Sequence, residues 1–261
     1  MTAARTGGCI RVAAVADLHM RAAAAGRFRP DFRRLSTDAD ILLLAGDLTD
    51  GGTRAETDLL CAELDDLPVP VVAVLGNHDH DQRSGYLIAA RLTALGVHVL
   101  DGTAITFEIE GIRLGIAGVM GGSGGFPGHP GTPEEGSAEH RARMRRGPLD
   151  ALRLRQALDS IDCETRIALM HFAPVIDTLA GEPAKIYPGL GCHDLAESVD
   201  AGGAALAVHG HAHGGTELGR TLGGVPVRNV SFPVLRRSYA VYEIVPGSDR
   251  PEDRDRIPSR P

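Results

Sequence analysis

Ile41-Leu42-Leu43-Leu44-Ala45-Gly46-Asp47-Leu48-Thr49-Asp50 is the stretch that decides the fold. Five apolar residues in succession read as a strand covered on both faces, and strands of that kind belong to parallel sheets flanked by helices. The run ends on Gly46-Asp47, a turn residue and a carboxylate at the carboxyl end of the strand. The same pattern returns along the chain. Residues 10–16 stop at Asp17-Leu18-His19, residues 69–75 at Gly76-Asn77-His78-Asp79 and residues 167–170 at His171, while residues 204–208 lead towards Gly210-His211-Ala212-His213. Between the runs, residues 53–65 and 85–95 carry apolar side chains at helical spacing, with Thr53 as N-cap and Gly96 as stop. Strand, helix, strand order predicts a largely parallel sheet. Ligands of such sheets gather beyond the carboxyl ends of the strands, where all five polar clusters fall.

Residues 103–108, 112–118, 225–229 and 238–244 also read as strands, separated by Gly turns, and Glu110-Gly111 and Gly223-Gly224 are hairpin signals. They predict a second, partly antiparallel sheet stacked on the first. The expected fold class is therefore α/β, two stacked mixed β-sheets flanked by helices. Residues 121–135 are dense in Gly and Pro and predict a loop over the site mouth; they lack the Lys-Ser/Thr of a phosphate-binding loop. Residues 137–158 read as a long helix that Gly147-Pro148 should break or kink. Residues 1–245 are expected to form a single domain, with the charged, Pro-rich residues 246–261 as a flexible tail.

With 261 residues and 43% hydrophobic content the chain can bury one sizeable core. Its net charge of −7 gives it no electrostatic reason to seek phosphate backbones or anionic lipid, so neither long nucleic acid nor a membrane is an expected partner. Cys9, Cys61, Cys163 and Cys192 are scattered, which points to reduced thiols and a cytoplasmic location. The apolar run near the N-terminus is closed by Asp17 and His19 before it could serve as a signal segment, and no later run is long enough to cross a bilayer. The sequence leaves the oligomeric state open.

Carboxylate oxygen, amide oxygen and imidazole nitrogen are donors for first-row divalent cations, and no cysteine competes in these clusters. Asp17 and His19 are one residue apart, so at an extended strand end both project to the same side and can share an ion; His211 and His213 repeat the spacing. A carboxylate beside an apolar core is costly unless compensated, and a place between two cations makes Asp47 a natural bridge. Asn77 and His171 bring one donor each to the ends of other strands. The set suits two divalent metal ions about 3.5 to 4 Å apart. Manganese, iron and zinc fit it equally.

In that order DLH, GDLTD, GNHDH, the His of MHFAP, and GHAH resemble the signature of the calcineurin-like metallophosphoesterases, over Asp17 to His213. The resemblance implies a two-sheet sandwich, one ion on Asp17, His19 and His213, a second on Asn77, His171 and His211, and Asp47 shared. It further implies a phosphoric ester hydrolase in which a hydroxide held between the ions attacks phosphorus and His78 protonates the leaving group. Asp79 is expected either to orient the His78 imidazole or to be an exposed turn carboxylate. Val74-Leu75 and Thr49-Asp50-Gly51 depart from the protein Ser/Thr phosphatase pattern, and Leu48, Thr49 and Asp50 hold no Tyr of the purple acid phosphatase type. The better resemblance is to bacterial phosphodiesterases acting on small phosphodiesters, cyclic nucleotides among them. A phosphomonoesterase, a metal-stabilised interaction scaffold and a mononuclear zinc hydrolase of amides stay open as alternatives. Of the other candidates, His209 reads as a core residue and His98 as a surface one, while His80, Lys185, Tyr187 and His193 fall in segments that could border a pocket.

Overall fold

The computed structural model describes residues 8–132 and 137–246; the expected tail of residues 246–261, except Pro246 itself, and residues 133–136 of the Gly/Pro-rich loop lie outside them. The strands are β1 (Ile10–Val15), β2 (Ile41–Ala45), β3 (Val71–Val74), β4 (His98–Val99), β5 (Thr103–Ile109), β6 (Ile112–Gly118), β7 (Gly125–Phe126), β8 (His129–Pro130), β9 (Thr165–Leu169), β10 (Leu206–His209), β11 (Leu218–Arg220), β12 (Pro226–Asn229) and β13 (Ala240–Ile244). Two sheets carry the architecture. The first runs β13-β1-β2-β3-β4, parallel except for β13, and the second runs β11-β12-β10-β9-β6-β5, with β5 and β11 as antiparallel edges.

Alternation along each strand sorts side chains into layers. Ile10, Val12 and Ala14 of β1 point between the sheets, where they meet Leu43, Val72, Ile116, Leu169 and Val208, while Ala13 and Val15 point outward. The outer face of the first sheet is covered by α1 (Arg29–Phe32), α2 (Leu35–Asp38), α3 (Arg54–Leu64) and α4 (Gly85–Ala94) through residues such as Phe32, Leu35, Leu60 and Leu92. The second sheet is covered by α5 (Ala138–Asp159) and α7 (His193–Ala201), which present Leu154, Leu158, Leu195 and Val199; α6 (Tyr187–Leu190) and α8 (Phe232–Leu235) are single turns. Every fully apolar strand is thus covered on both faces, as its composition requires.

Two expectations need correction. Composition groups β9 and β10 with the first three parallel strands, but they pair with β6 and β12 in the second sheet, and β13 joins the first. An apolar run reports burial on both faces and says nothing about its neighbour. Helix α5 also runs through Pro148 as one element, without the expected break. Gly147 sits where a Cβ would lie 2.2 Å from the Ser123 carbonyl oxygen, and Ser198 Oγ donates to the Ala151 carbonyl at 2.8 Å, so docking on the β6–β7 loop and α7 holds the helix through the proline.

Candidate metal centre and adjoining cleft

Each polar cluster sits where the chain leaves a strand: Asp17 and His19 after β1, Asp47 after β2, Asn77 after β3, His171 after β9, and His211 and His213 after β10. Asp17, His19, Asp47 and His211 have φ of 57°, 42°, 49° and 69°, the left-handed region that L side chains avoid at a cost of about 1 kcal/mol or more each. Those turns swing the side chains inward over the sheet ends. The loops are laced together: Asp17 N–H donates to Gly46 O at 2.9 Å and His19 N–H to Asp47 O at 3.1 Å. Glycine precedes three of the ligands for lack of room. A Cβ on Gly76 would lie 2.1 Å from Asp47 Oδ1, and one on Gly210 would lie 2.4 Å from Asp17 Oδ2.

The seven expected donors converge. His213 Nε2 is 2.9 Å from Asp17 Oδ1, and His19 Nε2 is 4.0 Å from that oxygen and 3.9 Å from Asp47 Oδ2. On the other side, His171 Nε2 is 3.3 Å from Asp47 Oδ1 and 3.1 Å from Asn77 Oδ1. Asp17, His19 and His213 offer donor atoms within 4.8 Å of one another, as do Asp47, His171 and His211. Both groups could hold a divalent metal. His171 Nδ1–H donates to the Ala45 carbonyl at 2.9 Å, which turns Nε2 towards the centre. Both ring nitrogens of His19 are buried without a hydrogen-bond partner, a costly state for an imidazole that a cation among these donors would relieve.

Electrostatics point the same way. Burial opposes ionisation of Asp17 and Asp47, yet the hydrogen bond from His213 to Asp17 and the charge of His171 beside Asp47 hold both carboxyls below the usual carboxylate range. Burial works against a charged His171 as well, but Asp47 pulls it up to about 9. His213 is raised by its hydrogen bond to Asp17. Burial, helped by the charge of His171, pushes His211 down to about 3, so its imidazole stays neutral and keeps a lone pair. Two sunken carboxylates create a field that draws positive charge.

His78 N–H donates to Asp47 Oδ1 at 2.9 Å, and its ring stands beside the centre with Nε2 4.0 Å from Asp47 Oδ2. Its Nδ1 is 2.7 Å from the Asp50 carbonyl, which as an acceptor fixes Nδ1–H and turns Nε2 towards the centre. Asp79 corrects both expectations for it. It is neither exposed nor the orienting partner of the His78 ring: its carboxylate is fully buried and accepts from Leu48 N–H (3.1 Å), Thr49 N–H (2.8 Å), Thr49 Oγ (2.7 Å) and Gly76 N–H (2.9 Å). Burial raises the Asp79 carboxyl, Asp47 adds to the rise, and these donors oppose it. It is a clamp between the β2 and β3 loops.

A cleft of about 410 Å³ opens from Asn77 and His211 between the Gly/Pro-rich loop and the segment before α6. Lys185 and Phe172 are on its wall, together with Ser123 and Thr132 of the loop expected to cover the site mouth. Of the other residues the sequence left unranked, Tyr187 packs on His129, His193 faces Glu197 one turn on, and His80 lines a separate cavity of about 180 Å³. His209 is a buried core residue held by Thr178 Oγ at 2.8 Å, and His98 is exposed. Asp50 acts through its backbone carbonyl, and a carbonyl leaves no mark in a sequence.

The calcineurin-like phosphoesterase profile matches residues 10–215, and the chain belongs to that family of phosphoester hydrolases. No curated protein sequence matches it. Among solved structures it is similar to the phosphopantetheinyl hydrolase of Mycobacterium tuberculosis, with 16% identity, a TM-score of 0.66, and coverage of 94% of this chain and 99% of the other. A candidate 5'-nucleotidase from Staphylococcus aureus shares 14% identity with a TM-score of 0.56 over 85% of this chain and 48% of its own. The inner membrane complex anchor of Plasmodium shares 10% identity with a TM-score of 0.55 over 91% and 81%. At these identities the likeness is one of fold. No helix among the described residues is long and apolar enough to cross a membrane.

Proposed function

We propose that the protein is a dinuclear metal-dependent phosphoesterase that hydrolyses small phosphodiesters, with His78 as proton donor. One observation carries the reading: the two oxygens of Asp47 face different sets of donors, Oδ1 towards His171 at 3.3 Å and Oδ2 towards His19 at 3.9 Å. Asp17, His19 and His213 would hold one ion, Asn77, His171 and His211 the other, and Asp47 both. Divalent manganese, iron or zinc there would supply Lewis-acid charge to the phosphoryl oxygens and acidify a water for attack on phosphorus.

The remaining work falls to the chain. With Nδ1–H held by the Asp50 carbonyl, a protonated His78 offers Nε2–H to the leaving oxygen, and the carbonyl dipole steadies the cation until transfer. Asp79 keeps the loops bearing Asp47 and His78 in register. A diester preference is supported by two exits from the centre. The cleft begins at Asn77 and His211, while His78 and His213, with side chains 41% and 42% exposed, flank an open side, so each organic substituent of a diester has its own space.

The test is to strip the protein with a chelator, reload it with each metal, count the bound ions and assay bis-p-nitrophenyl phosphate beside p-nitrophenyl phosphate. Two equivalents and faster cleavage of the diester are expected. Faster cleavage of the monoester would make the protein a phosphomonoesterase, and a single equivalent would remove the bridge. Folded, ion-loaded protein without turnover would favour the scaffold reading, and the anchor protein of Plasmodium has this fold.

A further inference from the structure

Lys185 is the sole lysine among the 27 Lys and Arg residues of the chain, and it stands on the wall of the cleft that begins at Asn77 and His211. It sits in a single 3-10 turn, Ala184–Ile186, exposed and without an ion-pair partner among the described residues. The cleft is largely apolar, with Phe172, Met144, Ile186 and Pro188 on its walls beside the polar Ser123 and Thr132. No carboxylate among the described residues lines it. In a chain of net charge −7, this is a local positive pole facing into a pocket.

We infer that this cleft selects phosphoesters whose organic portion carries a second anionic group, a carboxylate or a further phosphoryl, beyond an apolar section, and that Lys185 reads that group. The inference rests on the hydrolase reading above and deepens it. With the scissile phosphoryl at the metal centre, the apolar walls accept a ring or short hydrocarbon section, and the flexible lysine stem brings a compact ammonium to anionic oxygens at the far end. A neutral substrate of equal size gains the apolar contacts alone. A cleft of about 410 Å³ holds a small-molecule ester with such a tail.

The probes are benzylphosphonate, para-carboxybenzylphosphonate and para-xylylenediphosphonate, whose carbon–phosphorus bonds resist hydrolysis, titrated calorimetrically into the metal-loaded protein. The carboxylated and doubly phosphonylated probes should each bind up to about fivefold tighter than benzylphosphonate, the range for an ion pair with an exposed partner. A larger gain for the diphosphonate assigns the tail as phosphoryl, and a larger gain for the carboxylate assigns it as carboxylate. Lys185→Gln should abolish the preference, and Lys185→Glu should reverse it. Isotopic reductive methylation of the only lysine gives one side-chain signal, which should shift with the anionic-tailed probes and stay in place with benzylphosphonate. Equal affinity of the wild-type protein for all three probes overturns the inference without recourse to a variant, as does a preference that survives Lys185→Gln. Turnover of bis-p-nitrophenyl phosphate by the same preparation separates the two readings: if turnover is present and the preference absent, only the inference about Lys185 falls.

Discussion

At His78 the two ring nitrogens have separate surroundings, one tied to a backbone carbonyl 2.7 Å away and the other turned to the centre. The proton it would deliver matters only when the leaving group is a poor one. His78→Ala should therefore slow alkyl esters by about 10² to 10⁴ and nitrophenyl esters by less than about tenfold, with metal content unchanged, as read from kcat on the two ester types. Equal losses on both would remove it from proton transfer. The donors around it were legible in the sequence because each falls within a few residues of the end of an apolar run, so strand end and ligand are read together. Asp79 was not. A carboxylate next to a histidine reads the same whether it faces that ring or, as here, turns away to Leu48, Thr49 and Gly76. The place of Lys185 was not legible either, because nothing in its segment tells that the chain there lines the same cleft as His211.

The elements contribute by how their ends are fastened. Helix α3 begins with a reciprocal cap, Thr53 Oγ accepting from Glu56 N–H at 3.2 Å and Glu56 Oε2 from Thr53 N–H at 3.0 Å, so the chain leaving Asp47 returns along a fixed path. The β2 and β3 loops depend on Asp79. Asp79→Ala would strand three buried N–H groups and should cost about 2 to 4 kcal/mol, measured by denaturant unfolding in chelator, with weaker metal binding in the folded fraction. At the far edge, strand β13 and the turn before it are tied by phenols: Tyr242 donates to Glu217 at 2.8 Å and Tyr239 to Asp38 at 2.9 Å. Burial first, then the acidic partner, raises Tyr239 to about 12 and Tyr242 well above its ordinary 10.0. A folded phenol that keeps its proton longer than an unfolded one contributes stability fully present below pH 10, lost as pH climbs through the folded value. Alkaline unfolding should set in above about pH 10, and its slope should lessen in Tyr242→Phe. Strand positions were legible from apolar runs and Gly turns. Sheet membership was not, because the pairing of β9 with β6 and of β13 with β1 joins segments far apart in the chain.

For the whole molecule, the decisive fact is that the donors come from both sheets: Asp17, His19, Asp47 and Asn77 from the ends of the first, His171, His211 and His213 from the ends of the second. Ions bound there would stabilise the folded state by mass action, about 2.7 kcal/mol for each at a hundredfold excess over its dissociation constant. Chelation should lower the melting temperature on the order of 5 to 10 °C per ion in a chain of this size, read by calorimetry before and after reloading. The sheets also approach each other very closely at this end, where a methyl group on Gly46 would lie 2.6 Å from the His171 ring. The centre therefore works as a caliper closed on the gap between two layers. A swap deep in the sandwich, remote from every ligand, can pry the jaws apart by a fraction of an ångström while leaving each layer whole, and chemistry would register that change sooner than melting would.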